Sequence, residues 1–158
     1  MIIRDATPAD AKQACQVLRD SIVELCSADH RDDPVILSRW LANKTPDNVA
    51  AWAVASGRAL LVAVEDGAIL AVGGLTHAGE ITANYVAPAA RFRGVSSAML
   101  AALEQRAAAH GAASCTLLST ETAHRFYLAR GYRDEGPSVG KFGTAASYSM
   151  VKPLRVQE

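Results

Sequence analysis

The sequence predicts a single α+β domain in which a mostly antiparallel sheet is flanked by helices. Apolar residues recur at helical spacing in the first third of the chain. In the middle third, short strand-like segments follow one another through tight turns. Helices alternate with strands in the last third. With 158 residues, 50% of them hydrophobic, the chain can bury roughly 68–70% of its unfolded surface in one core.

The first third is predicted to be helical after one short strand at residues 2–5. Thr7 and Pro8 supply an N-cap and a first-turn proline for a helix. The apolar face of that helix consists of Ala11, Ala14, Cys15, Leu18, Ile22 and Leu25. An acidic stretch that ends at Pro34 interrupts the pattern. Two short helices divided by Thr45-Pro46 follow it, at residues 35–41 and 47–54.

The remaining two thirds are predicted to begin with an antiparallel meander and to continue with alternating helices and strands. The predicted elements are strands at 59–64, 68–76 and 80–87, a helix at 95–110, a strand at 114–118, a helix at 120–130, and strands at 132–134 and 146–152. Gly111 and Gly131 lie where C-cap glycines end helices. Because no repeat or linker interrupts the pattern, we expect one domain over residues 1–158.

Composition narrows the classes of function. The 16 basic and 16 acidic side chains cancel, so neither nucleic acid nor an anionic membrane is an expected partner. The N-terminus lacks the apolar core of a signal peptide, and no apolar stretch approaches the roughly 20 residues that span a bilayer. We therefore expect a cytoplasmic protein.

The cysteines and histidines do not suggest a metal centre. Cys15, Cys26 and Cys115 are odd in number and lie in apolar periodic segments, which is typical of reduced core cysteines. Cys26 and His30 are close enough to share a ligand site, but no second Cys or His pair completes it. We expect no metal.

The segment from Tyr85 to Leu100 has the pattern of an anion-binding turn, because a strand ends, a loop with two arginines follows, and a helix begins at Gly94. The first amides of a helix lack intrahelical partners and can bind pyrophosphate. Arg91 and Arg93 would add positive charge there. The alternative is an ordinary strand-to-helix loop whose glycine relieves strain and whose arginines are solvated.

This segment resembles the acetyl-coenzyme A signature of the GNAT N-acetyltransferases, which reads Gln or Arg, two variable residues, Gly, one variable residue, then Gly or Ala. Arg91 and Gly94 match, whereas Ser96 departs from the third position. The segment from Thr120 to Tyr132 resembles the second GNAT signature, in which a helix with Ala and a Phe-Tyr pair ends at Gly followed by an aromatic residue.

The resemblance implies a GNAT fold, with a mostly antiparallel sheet of six to seven strands, flanked by helices and splayed between the fourth and fifth strands. It implies acetyl-CoA as cosubstrate, without a metal, and a small-molecule or peptide amine as acceptor. The resemblance leaves open whether the protein forms a homodimer. The residues expected to bind the cofactor are Tyr85, Val86, Arg91, Phe92, Arg93, Gly94, Val95, Ser96, Ser97, Thr120 and Tyr127.

The resemblance also implies catalytic roles. Tyr127 takes the place of the proton donor to the departing thiolate, and a backbone N–H near Val86 would polarise the thioester carbonyl. Glu80 corresponds to the glutamate base of the lysine-acetylating branch, with His77 or a water as alternative bases. Cys115 has no adjacent activating base, which disfavours an acetyl-enzyme and favours direct transfer in a ternary complex.

Two regions remain as candidates for acceptor binding, and one competing function is kept. The acidic residues of the loop around Asp29 are predicted to be solvated or, alternatively, to attract a cationic amine. Trp40 and Trp52 are predicted to pack in the core, and one of them is a candidate wall of the acceptor pocket. Because Ser96 departs from the signature, the competing function is a non-catalytic acyl-CoA-binding or regulatory module.

Overall fold

The structure is a computed structural model that describes residues 1–140, 143–144 and 146–154. Six helices are described: α1 Ala11–Leu25, α2 Ser27–His30, α3 Pro34–Leu41, α4 Pro46–Val54, α5 Val95–Ala109 and α6 His124–Leu128. Seven strands are described: β1 Ile2–Asp5, β2 Arg58–Glu65, β3 Ala68–Thr76, β4 Glu80–Val86, β5 Ser114–Thr120, β6 Arg133–Asp134 and β7 Ser147–Pro153. None of these helices is long and apolar enough to cross a membrane.

The strands form one sheet in the order β1-β2-β3-β4-β5-β7-β6. Every neighbouring pair is antiparallel except β4 and β5, which are parallel and pair only at Glu80 with Thr116 and at Ile81 with Leu117. Beyond Ile81 the two strands diverge, and the sheet is open between them. The seven-stranded mixed sheet with its splay between the fourth and fifth strands confirms the predicted fold class.

Helices cover both faces of the sheet. On one face α5 packs against the central strands through a buried cluster that includes Met99, Leu103 and Tyr127. On the other face α1 and α4 pack over β2 and β3 through a second cluster that includes Leu18, Val49 and Val62. The splay between β4 and β5 therefore lies in the middle of a three-layered structure, where helices limit access to it.

The segment at 120–130 differs from its predicted helix. Thr120 ends β5, and the helix begins only at His124. The Thr120 hydroxyl accepts a hydrogen bond from the Ala123 N–H at 3.1 Å, which stabilises a turn before the helix. Three polar residues that can bond to their own backbone precede Ala123, and such residues favour turns over helix interiors.

The acidic loop also differs from its prediction as solvated charge. Asp29 belongs to the short helix α2, and its side chain is completely buried. The Asp29 carboxylate accepts hydrogen bonds from the Glu121 N–H at 2.6 Å and from the Thr122 hydroxyl at 2.5 Å. It therefore binds the turn between β5 and α6 to the N-terminal helices, and its charge is not available to a solvated amine.

Candidate functional site

A cavity of about 370 Å³, which we call the α5 cavity, lies at the N-terminus of α5 and reaches the splay between β4 and β5. Its lining includes all the predicted cofactor-binding residues except Arg93. The lining residues are Ser21, Leu25, Cys26, Asn84, Tyr85, Val86, Ala90, Arg91, Phe92, Gly94, Val95, Ser96, Ser97, Thr120, Thr122, Ala123, Phe126, Tyr127 and Arg130. The structure thus brings together both sequence motifs, which lie about thirty residues apart in the chain.

The turn before α5 directs backbone amides into this cavity. Gly94 is the N-cap residue and has a φ of 77°, in the left-handed region that residues with a Cβ rarely adopt. The first intrahelical bond recorded at this end runs from the Ala98 N–H to the Gly94 carbonyl, so the amides of the first turn before it have no helical acceptor. A helix N-terminus with free amides favours bound anions.

The two predicted arginines differ in position. Arg91 is exposed and lines the α5 cavity. Arg93 instead forms an ion pair with Glu65, with 2.8 Å between Nη2 and Oε1, and does not line the cavity. A phosphate contact by Arg93 would require it to leave Glu65. Phe92 is 95% exposed and has a φ of 63°, so its backbone, and not its ring, shapes the turn.

Arg130 is a cavity residue that the sequence analysis missed. Its guanidinium lies 3.7 Å from the centroid of the Phe126 ring and donates to the Ser97 hydroxyl from Nε at 3.0 Å and from Nη2 at 2.6 Å. It therefore joins the first turn of α5 to the turn after α6. Its spacing of four residues from Phe126 is a signal that the sequence contains, because such pairs meet on one helix face.

Tyr127 lies at the inner end of the α5 cavity and is buried. Burial raises the pKa of its hydroxyl to about 12, and a hydrogen bond with the Asn84 side chain acts in the opposite direction. The hydroxyl is consequently protonated throughout the physiological pH range. It retains a proton that it can donate to a strong base formed beside it.

Asn84 is the second residue that the sequence analysis missed. It lies on β4, lines the α5 cavity, and its buried Oδ1 has no hydrogen-bond partner among the described residues. A buried amide oxygen without a donor costs roughly 1–3 kcal/mol. The arrangement suits a ligand that brings an N–H group into the splay. A single asparagine in a strand carries no sequence signal of this kind.

The backbone of β4 also faces the splay. The Ala87 N–H donates to the Leu70 carbonyl at 2.8 Å, on the β3 side. Because backbone groups along a strand alternate in direction, the Val86 N–H points to the opposite side, where β5 has diverged. A donor there can bind a carbonyl oxygen placed between the strands.

The two candidate bases lie away from the α5 cavity. Glu80 begins β4, four residues and about 13 Å along the strand from Asn84, and its side chain is exposed. It lines a separate cavity of about 290 Å³, the Glu80 cavity, together with Asp29, Trp40 and Tyr85. His77 stacks on His110 with 3.7 Å between ring centroids.

Tyr85 and Thr120 line both the α5 cavity and the Glu80 cavity. They therefore mark the boundary between the two spaces. Burial is the largest effect that raises the pKa of the Tyr85 hydroxyl, while a hydrogen bond with Trp40 lowers it. Trp40 is thus both a core residue and a wall of the Glu80 cavity.

His30, on the N-terminal helix α2, has structural partners. The His30 ring is buried, with Nε2 2.9 Å from the Ile22 carbonyl oxygen and Nδ1 accepting from the Asp32 N–H. Within the described ranges no cluster of three metal-binding side chains is found. Cys15, Cys26 and Cys115 are free and buried.

Sequence comparison identifies the family. The model of the acetyltransferase (GNAT) domain family matches residues 26–150, which is most of the chain. The chain belongs to the GNAT family. Its members with known structure include a GCN5-related N-acetyltransferase from Rhodopseudomonas palustris, which is 28% identical and superposes with a TM-score of 0.85 over 97% of this chain and 95% of that one.

Two more distant GNAT structures share the fold. The PaiA N-acetyltransferase from Thermoplasma acidophilum, solved in complex with coenzyme A, is 17% identical with a TM-score of 0.83, and the alignment covers 97% of this chain and 98% of that one. The aminoglycoside 6'-N-acetyltransferase from Enterococcus faecium is 16% identical with a TM-score of 0.74, covering 100% and 99%. No curated protein sequence matches this GNAT chain.

Proposed function

We propose that the protein is an N-acetyltransferase that transfers the acetyl group of acetyl-CoA directly to an amine in a ternary complex. The observation that carries this proposal is the α5 cavity, whose lining combines the first turn of α5, where backbone amides lack helical acceptors, with the buried Tyr127. Coenzyme A carries a pyrophosphate and a sulfur, and these two groups suit the two features.

The residues present suit acetyl-CoA. The first amides of α5 and Arg91 would hold the pyrophosphate. The Val86 N–H and the unpartnered Asn84 Oδ1 would bind amide or carbonyl groups of the extended arm between β4 and β5. The coenzyme A present in the PaiA structure from Thermoplasma acidophilum supports this assignment. The thioester supplies the activated acetyl group.

Tyr127 would protonate the departing sulfur. Its buried hydroxyl, with a pKa of about 12, is protonated at neutral pH, and the hydrogen bond with Asn84 acts to lower that pKa. A general acid of this kind contributes typically 10²–10⁴-fold to the rate. The Val86 N–H would stabilise negative charge on the carbonyl oxygen as the amine attacks.

The amine must lose a proton before it attacks. For an amine with a pKa near 10.4, deprotonation at pH 7 costs about 4–5 kcal/mol. Glu80 would accept this proton through water in the Glu80 cavity, since its carboxylate is too far from Asn84 along the strand for direct contact. His77 remains the alternative base and faces no described cavity.

The decisive experiment measures release of coenzyme A from acetyl-CoA in the presence of amino acids, polyamines, aminoglycosides, aromatic amines and peptides. We expect amine-dependent release, and Tyr127→Phe should lower kcat at least 100-fold while binding acetyl-CoA as tightly as the native protein. Tyr148→Phe is the matched control, because that hydroxyl bonds to Glu121 on the surface. Cofactor binding without release with any amine would favour the non-catalytic module instead.

A further inference from the structure

A third cavity of about 240 Å³ opens beside Tyr85, and we call it the Arg58 cavity. It lies between the sheet and the N-terminal helices, with Trp52 of α4 on one side and Gly74 of β3 in its floor. A Cβ built on Gly74 would come within 2.5 Å of the Thr82 hydroxyl oxygen, so a side chain at this position would collide with β4. The volume is below the roughly 300–1,000 Å³ typical of pockets for drug-sized ligands, so a small group fits.

The charge of the Arg58 cavity is positive. Arg58 and Lys44 both line it, and no acidic residue is among its described lining residues. The Lys44 ammonium donates to Asn43 Oδ1 at 2.8 Å. The Arg58 side chain is half-buried, and neither an ion pair nor a side-chain hydrogen bond is recorded for it within the described part of the chain.

A half-buried guanidinium without an anion is an unfavourable arrangement. Arginine is permanently charged, so it cannot lose its charge to escape the cost of partial desolvation. Its five donors form a rigid fork that matches the two oxygens of a carboxylate or the oxygens of a phosphate. An oxyanion that enters the cavity from solution would provide such a partner.

The Arg58 cavity adjoins the splay. A narrow cleft of about 60 Å³ between β4 and β5 has Tyr127 and Asn84 in its lining, and it shares Thr82, Ala83 and Tyr85 with the Arg58 cavity. An acceptor whose amine lies in the splay would extend along β4 past Tyr85 to reach Arg58.

The neighbouring Glu80 cavity has the opposite character. Its lining includes the exposed Glu80, whereas the Asp29 carboxylate is bonded to the turn after β5, and it shares Asn43, Lys44, Thr82 and Tyr85 with the Arg58 cavity. An acceptor that crosses this boundary meets the Glu80 carboxylate on one side and the Arg58 guanidinium on the other. Such a site favours a molecule that itself carries both charges, and it opposes a polycation at the Arg58 end.

We propose that the Arg58 cavity binds an oxyanion of the acceptor, so that the acceptor is an amine that also carries a carboxylate or a phosphate. This inference rests on the proposed acetyltransferase function. It places Arg58 as a specificity-determining residue that acts on acceptor binding and not on the acetyl transfer step.

The test uses matched acceptors that differ only in the oxyanion: amino acids against their carboxamides, and phosphoethanolamine against ethanolamine, with spermidine as a polycation. In at least one pair, we expect the kcat/KM of the anionic acceptor to be at least 10-fold higher than the kcat/KM of its neutral partner. Arg58→Gln should raise KM for that anion about 10–100-fold, with kcat at saturation and KM for acetyl-CoA within about twofold of native values. The amino acid and phosphate arms distinguish the two sources of the oxyanion.

Arg39→Gln is the control, since Arg39 is exposed on α3 and lines none of these cavities. Equal kcat/KM for neutral and anionic partners, a preference for spermidine, or an increase in the KM for acetyl-CoA in Arg58→Gln would overturn the inference.

Calorimetry of the same acceptor pairs with the coenzyme A-saturated protein separates this inference from the proposed function. Anion binding that depends on Arg58, without acetyl transfer to any amine, would refute the proposed function alone, whereas transfer without anion preference would refute this inference alone.

Discussion

At the scale of single residues, the pair of Asn84 and Tyr127 combines two opposed effects. Burial raises the pKa of the tyrosine hydroxyl, and the amide hydrogen bond acts in the opposite direction. A thiol has a pKa of about 8.5, so burial makes the tyrosine a weaker donor to a departing thiolate and the amide hydrogen bond makes it a stronger one. The efficiency of the pair as a proton donor would therefore depend on that hydrogen bond.

Asn84→Ala is expected to lower kcat about 10-fold and to change KM for acetyl-CoA less, because the tyrosine stays buried but loses the hydrogen bond that lowers its pKa. Without that hydrogen bond the pKa of Tyr127 rises further, so no new loss of activity should develop on the alkaline side up to pH 10. Steady-state rates between pH 6 and 10 measure this. Gln13→Ala, an exposed amide on α1, is the control. An alkaline decline near pH 9 in the variant would contradict the assignment.

Gly94 provides a second test at this scale, because the space around it is open and only its backbone angle demands glycine. Gly94→Ala should destabilise the fold by about 1 kcal/mol through left-handed strain and should weaken acetyl-CoA binding measurably by calorimetry. Gly67→Ala has nearly the same φ and equal free space in the β2–β3 turn. It should match the stability loss and leave affinity unchanged. If Gly94→Ala binds acetyl-CoA as tightly as Gly67→Ala does, the turn before α5 is not part of the binding site.

At the scale of elements, the α2 helix controls a turn that is distant in sequence. Asp29 accepts from the backbone and side chain of the turn between β5 and α6, and Thr122 in that turn lines the α5 cavity. A short helix thus links the N-terminal helices to a wall of the α5 cavity. Packing alone would not fix the turn, because Glu121 and Thr122 are exposed.

Asp29→Asn is expected to reduce the free energy of unfolding by about 2–3 kcal/mol, because an amide replaces the charged acceptor and presents a donor to other donors. The KM for acetyl-CoA should rise as the turn loosens. Urea denaturation and steady-state kinetics measure the two effects. Asp32→Asn, whose carboxylate is exposed, should change stability by less than about 0.5 kcal/mol. An unchanged free energy of unfolding in Asp29→Asn would show that the turn between β5 and α6 is stable without the Asp29 carboxylate.

Elements with strong periodicity were predictable from sequence, and those governed by tertiary contacts were not. The apolar face of α1 and the apolar segments of β2 and β3, which are joined by a tight turn, predicted those elements to within a few residues. The turn at 120–123 and the burial of Asp29 depend on residues about ninety positions apart. The anion-binding turn was predictable because its residues are adjacent, whereas Asn84, Arg130 and Arg58 gain their surroundings only from the fold.

At the scale of the whole molecule, all the cavities described meet around β4. The α5 cavity, the Glu80 cavity and the Arg58 cavity share Tyr85, although their walls come from different helices. α5 and α6 contribute residues to the α5 cavity, and α1 adds Ser21 and Leu25. The N-terminal helices also supply Trp40 to the Glu80 cavity and Trp52 to the Arg58 cavity, so changes in these helices would act on the proposed acceptor side as well as on the α5 cavity.

The divergence of β4 from β5 also bears on how the molecule avoids association with itself. An unpaired strand edge normally recruits strands from other chains, and proteins shorten, charge or cover such edges to prevent aggregation. Here the unpaired edge lies in the interior of the sheet, with helices over both faces and a cleft of about 60 Å³ between the strands. The position of this edge inside the sheet and the helices that cover it, and not charge or proline on the strand, therefore restrict its pairing with another chain.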